Sequence, residues 1–228
     1  MMNSIANNFE KIRNNIPSSV KVILAAKTRS KEEVLSAIEA GATDIGYNYV
    51  QEAMAMKAQL GQELSGKVKW HMIGHLQKSK INKALKTFDL IQTIDSYELA
   101  EAVDKRVPNF KNMPLSVLLQ VNIGEEESKA GVDPNFITVA ELARKMSQLK
   151  NIRLIGLMAI EPYTSDERQS REFFRKAKKL FNDVKELNLP NVEMKYLSMG
   201  MSGMYKPAID EGSNMVRLGT IIFGPRKT

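Results

Sequence analysis

The run Val22-Ile23-Leu24-Ala25-Ala26 is uninterrupted apolar sequence, and Lys27 follows it directly. Five such residues read as a strand buried on both faces, the mark of a parallel sheet. The lysine would then be held at the strand's carboxyl end. Its ammonium can reach solvent at the rim and stay unremarkable. It can also lose part of its hydration, so that its pKa falls and it becomes an amine nucleophile toward a carbonyl. What faces Lys27 decides between the two. Two further stretches hold residue types suited to binding an anion, Ser198-Met199-Gly200-Met201-Ser202-Gly203 and Arg217-Leu218-Gly219-Thr220. Small residues let backbone N–H groups approach phosphate oxygens, and Ser and Thr hydroxyls add donors.

The elements that must position these groups alternate regularly. Ile5, Phe9, Ile12 and Ile16 share one helical face and Pro17 stops that helix, which is expected to cover one end of the core. Strands are predicted over 21–26, 43–46, 69–73, 88–93, 115–121, 152–158 and 195–197, with an eighth made of 215–217 and 220–223. Between them the spacing predicts helices over 32–40 (closed by Gly41), 50–60, 79–86, 96–106, 136–149 and 205–211. A long helix follows a capping box at Thr164 and Glu167 and carries Phe173, Phe174, Ala177, Leu180, Phe181 and Val184 on one side.

Eight strands alternating with helices, without a long linker or composition break, predict an α/β fold: one closed (β/α)₈ TIM-type barrel over 1–228 with an extra N-terminal helix. At 228 residues the chain is a little short for such a barrel. An open doubly wound sheet would need a glycine-rich turn after the first strand, and Lys27-Thr28-Arg29-Ser30 has no glycine. In a barrel, functional groups sit at the carboxyl ends of strands, and phosphates favour the loops after strands seven and eight. Closure also puts strand eight beside strand one, and so the second phosphate loop beside Lys27. A phosphate cradle next to a strand-end lysine is the arrangement needed to hold pyridoxal 5′-phosphate as a Schiff base.

Other chemistries fit less well. His71 and His75 would be neighbours on a helix, but on a strand four residues span about 13 Å, and no Glu follows His71 as a zinc protease would need. Metal binding is therefore not expected. The chain has no cysteine, which excludes disulfides, thiolate catalysis and Cys-ligated zinc and points to the cytosol. With 43% hydrophobic and 26% charged residues it is not a disordered chain. No apolar run approaches the roughly 18 residues of a membrane span, and Met1-Met2-Asn3-Ser4 lacks a signal peptide's features. The net charge of +7 is spread along helices with acidic residues between, so nucleic acid is not the expected partner and a basic cleft for an anionic cofactor explains it equally well. Glu125-Glu126-Glu127 reads as a solvated loop.

The chain resembles the pyridoxal-phosphate homeostasis protein family, related in fold to the N-terminal barrel of alanine racemase, fold type III among pyridoxal-phosphate proteins. The resemblance runs from about Ile5 to Gly224. Its ordered motifs are Ala25-Ala26-Lys27-Thr28, Gly46-Tyr47-Asn48-Tyr49-Val50-Gln51-Glu52, Trp70-His71-Met72-Ile73-Gly74-His75-Leu76-Gln77, Gly156-Leu157-Met158-Ala159, Leu197-Ser198-Met199-Gly200-Met201-Ser202 and Met215-Val216-Arg217-Leu218-Gly219-Thr220. It implies that Lys27 carries the cofactor as a Schiff base and that Asn48 lies near it. Phosphate contacts are implied from Ser198 or Ser202, Gly219 and Thr220, with Arg217 facing the pyridine nitrogen. The family usually has Glu where this chain has Tyr47 and often Asp where it has Met204, which bears on local contacts and loop behaviour.

The resemblance further implies a cytosolic monomer that buffers pyridoxal phosphate or delivers it to apoenzymes, with little or no turnover. An arginine at the ring nitrogen cannot supply the negative charge that keeps that nitrogen protonated, so the ring is a weak electron sink. An amino-acid racemase is the principal alternative. It needs a base on each face of the substrate carbon, and because the chain ends at Thr228 no second domain is expected to bring one. A lysine Schiff-base aldolase acting on a phosphorylated sugar and a purely regulatory interaction protein are the remaining alternatives.

Overall fold

Aliphatic runs separated by capped helices close into a barrel. The structure, a computed structural model, describes residues 2–126, 130–160, 162 and 166–225. Strands β1 (Lys21–Ala25), β2 (Asp44–Tyr47), β3 (Lys69–Met72), β4 (Leu90–Ile94), β5 (Leu115–Val121), β6 (Ile152–Ala159), β7 (Val192–Met201) and β8 (Met215–Leu218) pair in chain order, and β8 returns to β1. The closing pair is parallel with Ile23 opposite Arg217 and Leu24 opposite Leu218. That register sets the loop after β8 beside the loop after β1.

The outer ring is α1 (Met2–Asn14), α2 (Lys31–Glu39), α3 (Val50–Gly66), α4 (Ile81–Thr87), α5 (Tyr97–Asp104), α6 (Phe136–Ser147), α7 (Glu167–Glu186), α8 (Tyr205–Asp210) and the single turn α9 (Thr220–Phe223). Local signals start and stop them. Ser30 caps α2 in a reciprocal box with Glu33, worth about 1 kcal/mol, and Gly41 at φ 97° ends that helix. Asn135 and Ser96 cap α6 and α5. α3 continues past the predicted end at residue 60, but Gly61 at φ 77° breaks it there. α7 begins behind Asp166, whose carboxylate accepts the Arg168 N–H, and Thr164 of the expected capping box lies outside the described residues, as does Glu127 of the acidic run. No helix among the described residues is long and apolar enough to cross a membrane.

Two apolar layers result. Leu24, Ile45, Trp70, Ile91, Leu119 and Leu157 fill the space between barrel and helices. Ile23, Leu90, Leu118, Ile155, Met158 and Met215 fill the barrel interior. Tyr47 points into the outer layer, where its ring stacks on Trp70 at 5.9 Å, and burial raises its pKa. The departure at that position therefore lies away from the barrel interior. Met204 packs against the core at the start of α8, which has no side-chain cap.

Three expectations need correction. The leading helix does not cover an end of the barrel; α1 packs along α2 and α9, where a full helix after β8 would lie, and Asn8 donates to the Ile222 carbonyl. Residues 220–223 form the turn α9 instead of strand, because Gly219 turns the chain out of the sheet at φ −121°, ψ −81°. Strand β7 is much longer than 195–197 and carries Ser198 to Met201 within it.

At the amino-terminal mouth of the barrel, Asp44 is 3% exposed. Burial acts to raise its carboxyl, but hydrogen bonds from His71 and Thr43, with the charge of Lys21 nearby, outweigh this and hold it at about 2. A depressed folded-state value stabilises the fold above the ordinary 3.8 and loses that stabilisation as pH falls toward 2. The expected loss is on the order of 2 kcal/mol. Urea midpoints measured between pH 5 and about pH 2 should fall less steeply in Asp44→Asn than in the parent; equal slopes would remove Asp44 from the acid response.

Candidate functional site

The turn after β1 fixes Lys27. Ala26 donates its N–H to the Gly46 carbonyl at 3.0 Å, and Arg29 donates back to Ala26 at 3.2 Å. Between them Thr28 takes φ 64°, a left-handed conformation costing a β-branched residue about 1–3 kcal/mol. Its N–H is held by the Glu52 carboxylate from α3, which offsets part of that cost. Lys27 is half-buried at this corner and faces a cavity of about 470 Å³ at the carboxyl ends of the strands.

Six of the seven residues singled out from sequence line that cavity: Lys27, Asn48, Ser202, Arg217, Gly219 and Thr220. Ala25, Ile73, Met158 and Ile160 add apolar wall. Ser198 is not on the wall. It is fully buried inside the barrel, where its hydroxyl donates to Gln92 Oε1 at 2.7 Å. Of the two serines left open by sequence, Ser202 is the one at the cavity.

The loops after β7 and β8 meet through an oxygen. Ser202 Oγ accepts the N–H of Gly219 at 3.0 Å and that of Ile221 at 3.4 Å. Gly219 sits close to β1: a Cβ there would lie 3.2 Å from the Ala25 carbonyl oxygen. Gly74 has the same purpose opposite, since a Cβ would come within 2.3 Å of the Asn48 carbonyl oxygen and push Asn48 out of place.

Arg217 is 6% exposed, and hydrogen bonds to β6 and β7 orient it. Nη1 donates to the Ser198 carbonyl at 2.8 Å and to its hydroxyl at 2.9 Å, and Nη2 donates to the Ala159 carbonyl at 3.0 Å. The guanidinium is thus tied to β6 and β7 while it lines the cavity. A second arginine, Arg29, was not singled out from sequence although it stands two residues after Lys27. It is 9% exposed, donates to the carbonyls of Phe223, Gly224 and Pro225, and lies over the Phe223 ring at 5.2 Å. It latches the loop after β1 to the turn after β8.

The lining suits an anionic aldehyde. Lys27, Arg29 and Arg217 bring positive charge, and no Asp or Glu lines the cavity among the described residues. The paired amides at Ser202 Oγ already hold one oxygen as a phosphate oxygen would be held, and Gly219 leaves room beside them. The residues present therefore fit pyridoxal phosphate. His71 and His75 do not form a metal site: His71 is inside the barrel against Asp44 at 2.9 Å, whereas His75 is 58% exposed and pairs with Asp95 at 3.3 Å.

Barrel topology and a cradle opposite a strand-end lysine define the class of alanine racemase N-terminal barrels. A family model described as alanine racemase, N-terminal domain, matches residues 2–227. A pyridoxal phosphate homeostasis protein of Pasteurella multocida is 39% identical over 209 residues, covering 92% of this chain and 88% of that one. PipY of Synechococcus elongatus PCC7942, solved with PLP bound, superposes with a TM-score of 0.87 at 31% identity, covering 96% of this chain and all of that one. An alanine racemase of Clostridium difficile 630 shares the fold alone, at 15% identity and a TM-score of 0.80 over 99% of this chain and 58% of that one. The chain belongs to the family of pyridoxal phosphate homeostasis proteins.

Proposed function

We propose that this protein binds pyridoxal 5′-phosphate covalently through Lys27 and serves the homeostasis of that cofactor, buffering it and handing it to apoenzymes with little or no turnover of its own. The observation that carries the reading is the convergence of Lys27, Asn48, Ser202, Arg217, Gly219 and Thr220 on one cavity from four separate stretches of chain. When bound, pyridoxal phosphate supplies an aldehyde that condenses reversibly with a primary amine. Lys27 supplies that amine, held at the rim by the 26–29 turn. Ser202, Gly219 and Thr220 bind the phosphate with hydroxyl and amide donors. Arg217 would meet the ring nitrogen, and as a permanent cation it gives that nitrogen no proton-retaining partner. Asn48 orients the ring, and Ile73, Met158 and Ile160 exclude water from one side. Action as a monomer in the cytosol belongs to the same reading.

The direct test is the visible absorption spectrum of the protein mixed with pyridoxal phosphate and desalted, before and after borohydride. A retained chromophore that borohydride bleaches supports the reading; complete loss of cofactor on desalting sinks it. The phosphate assignment has its own test. Thr220→Val keeps shape and removes a hydroxyl donor, and a hydrogen bond to a charged group is worth about 1.5–3 kcal/mol. Affinity for pyridoxal phosphate should fall roughly tenfold to a hundredfold, and affinity for unphosphorylated pyridoxal much less. Equal losses for both ligands would take Thr220 away from the phosphate.

A further inference from the structure

The barrel interior holds polar side chains that the cavity does not use. Asp44 and His71 are 3% exposed, and Gln92 and Ser198 are fully buried. Polar groups are costly among Ile23, Leu118 and Ile155 unless their hydrogen bonds are complete. Here they form one line between the two ends of the barrel. His71 Nε2 lies 2.9 Å from Asp44 Oδ1, and His71 Nδ1 lies 3.0 Å from Gln92 Nε2. Ser198 Oγ is 2.7 Å from Gln92 Oε1, and Arg217 Nη1 is 2.9 Å from Ser198 Oγ.

The donors and acceptors along this line have one consistent direction. An arginine has only donors, so Ser198 must turn a lone pair toward Arg217 and place its own proton elsewhere. Gln92 Oε1 takes that proton's hydrogen bond. The Gln92 amide, oriented this way, offers its N–H to His71 Nδ1, which must accept. The imidazole proton is then on Nε2 and is donated to Asp44, whose carboxylate can only accept. Each group thus fixes the orientation of the next: carboxylate, tautomer, amide, hydroxyl, guanidinium. Asp44 stands at the amino-terminal mouth, in a second cavity with Lys21, and is not part of the cavity that Arg217 lines.

We infer that Asp44, His71 and Gln92 are positioning residues for Arg217, holding through Ser198 the guanidinium that faces the cofactor, from the opposite mouth of the barrel. The inference rests on the cofactor reading above for its effect on the ligand, but the orientation of Arg217 is a property of the protein alone. It can therefore be read without ligand.

The test uses ¹⁵N NMR of the Arg217 side chain in cofactor-free full-length protein, together with the absorption spectrum and affinity of added pyridoxal phosphate. Gln92→Met removes the amide from the middle of the line. Asp44→Asn, nearly isosteric, replaces the acceptor-only terminus far from the ligand by an amide that can turn either its oxygen or its N–H toward His71. Ser198→Thr keeps the hydroxyl. Wild type and Ser198→Thr should show slowly rotating, separately resolved Arg217 N–H groups. Gln92→Met and Asp44→Asn should show averaged ones. The same two variants should shift the absorption maximum of bound cofactor and weaken pyridoxal phosphate binding about threefold to tenfold, while binding of inorganic phosphate is unchanged. Arg217 signals and cofactor spectra like wild type in both variants would overturn the inference. So would a parallel loss of inorganic phosphate binding, which would mark general damage to the cavity. If Gln92→Met does not fold, Asp44→Asn decides alone. If wild type itself retains no pyridoxal phosphate, the cofactor reading fails while the NMR comparison still decides the positioning of Arg217.

Discussion

Borohydride added to the protein with pyridoxal phosphate should fix a pyridoxyl group on the peptide that contains Lys27, and Lys27→Ala should reduce that label to background. The expectation follows from where the lysine stands. Its backbone is clamped between the Ala26–Gly46 and Arg29–Ala26 hydrogen bonds, and its side chain faces the loops of Ser202 and Gly219. A phosphate held by those loops brings an aldehyde on the same small molecule within reach of this amine, so reaction there is effectively intramolecular. Without the amine, the phosphate contacts remain, each worth about 1.5–3 kcal/mol. Lys27→Ala should therefore still bind the ligand, weakly and without the reducible chromophore. Peptide mapping by mass spectrometry is the measurement. Label entirely on another lysine of the wild-type protein would end the assignment.

The second large effect is an absence of speed. Racemase, transaminase and decarboxylase turnover across a panel of amino acids should fall on the order of a hundredfold to ten-thousandfold below that of an ordinary enzyme, because general acid–base catalysis contributes about that factor. Among the described residues lining the cavity there is no Tyr, His, Asp or Glu to serve as a base opposite Lys27. With Arg217 as the proposed ring-nitrogen partner, no negative charge keeps that nitrogen protonated, and the ring is a weak electron sink. Each 1.36 kcal/mol of barrier left in place costs tenfold in rate. Coupled assays with apoenzyme in the same tube would separate transfer of cofactor from turnover. A rate of about 1 s⁻¹ or faster on any common amino acid, abolished by Lys27→Ala, would make the protein an enzyme.

The alternation of elements, the barrel and the meeting of Lys27 with the Gly219 loop were legible because each depends on short stretches with a strong periodic or turn signal. Thr220 to Phe223 was misread because an apolar run of four residues looks the same as strand or as helix, and only the turn at Gly219 decides it. Ser198 was misread as a loop donor because β7 continues through it, and inside a barrel a serine faces inward, where Gln92 and Arg217 occupy it. The line from Asp44 to Arg217 had no sequence signal at all. Its members come from five different strands, and a lone His, Gln or Ser in an apolar strand carries no mark of its partners. Arg29 was legible in principle, being two residues from Lys27, but its targets at residues 223–225 become neighbours only when the barrel closes.

That closure also sets an order of events during synthesis. The amine comes from residue 27, while half of the phosphate cradle comes from residues 219–221, and the β1–β8 pairing that joins them is among the longest-range contacts in the chain. Contacts of such sequence separation form late, after the loop between them has been closed. A ribosome-bound chain with seven strands already emerged therefore has its lysine but only an incomplete cradle. Affinity for the cofactor is acquired in one step with completion of the barrel, so the ligand adds stability only to chains that have finished folding and gives none to partly made ones.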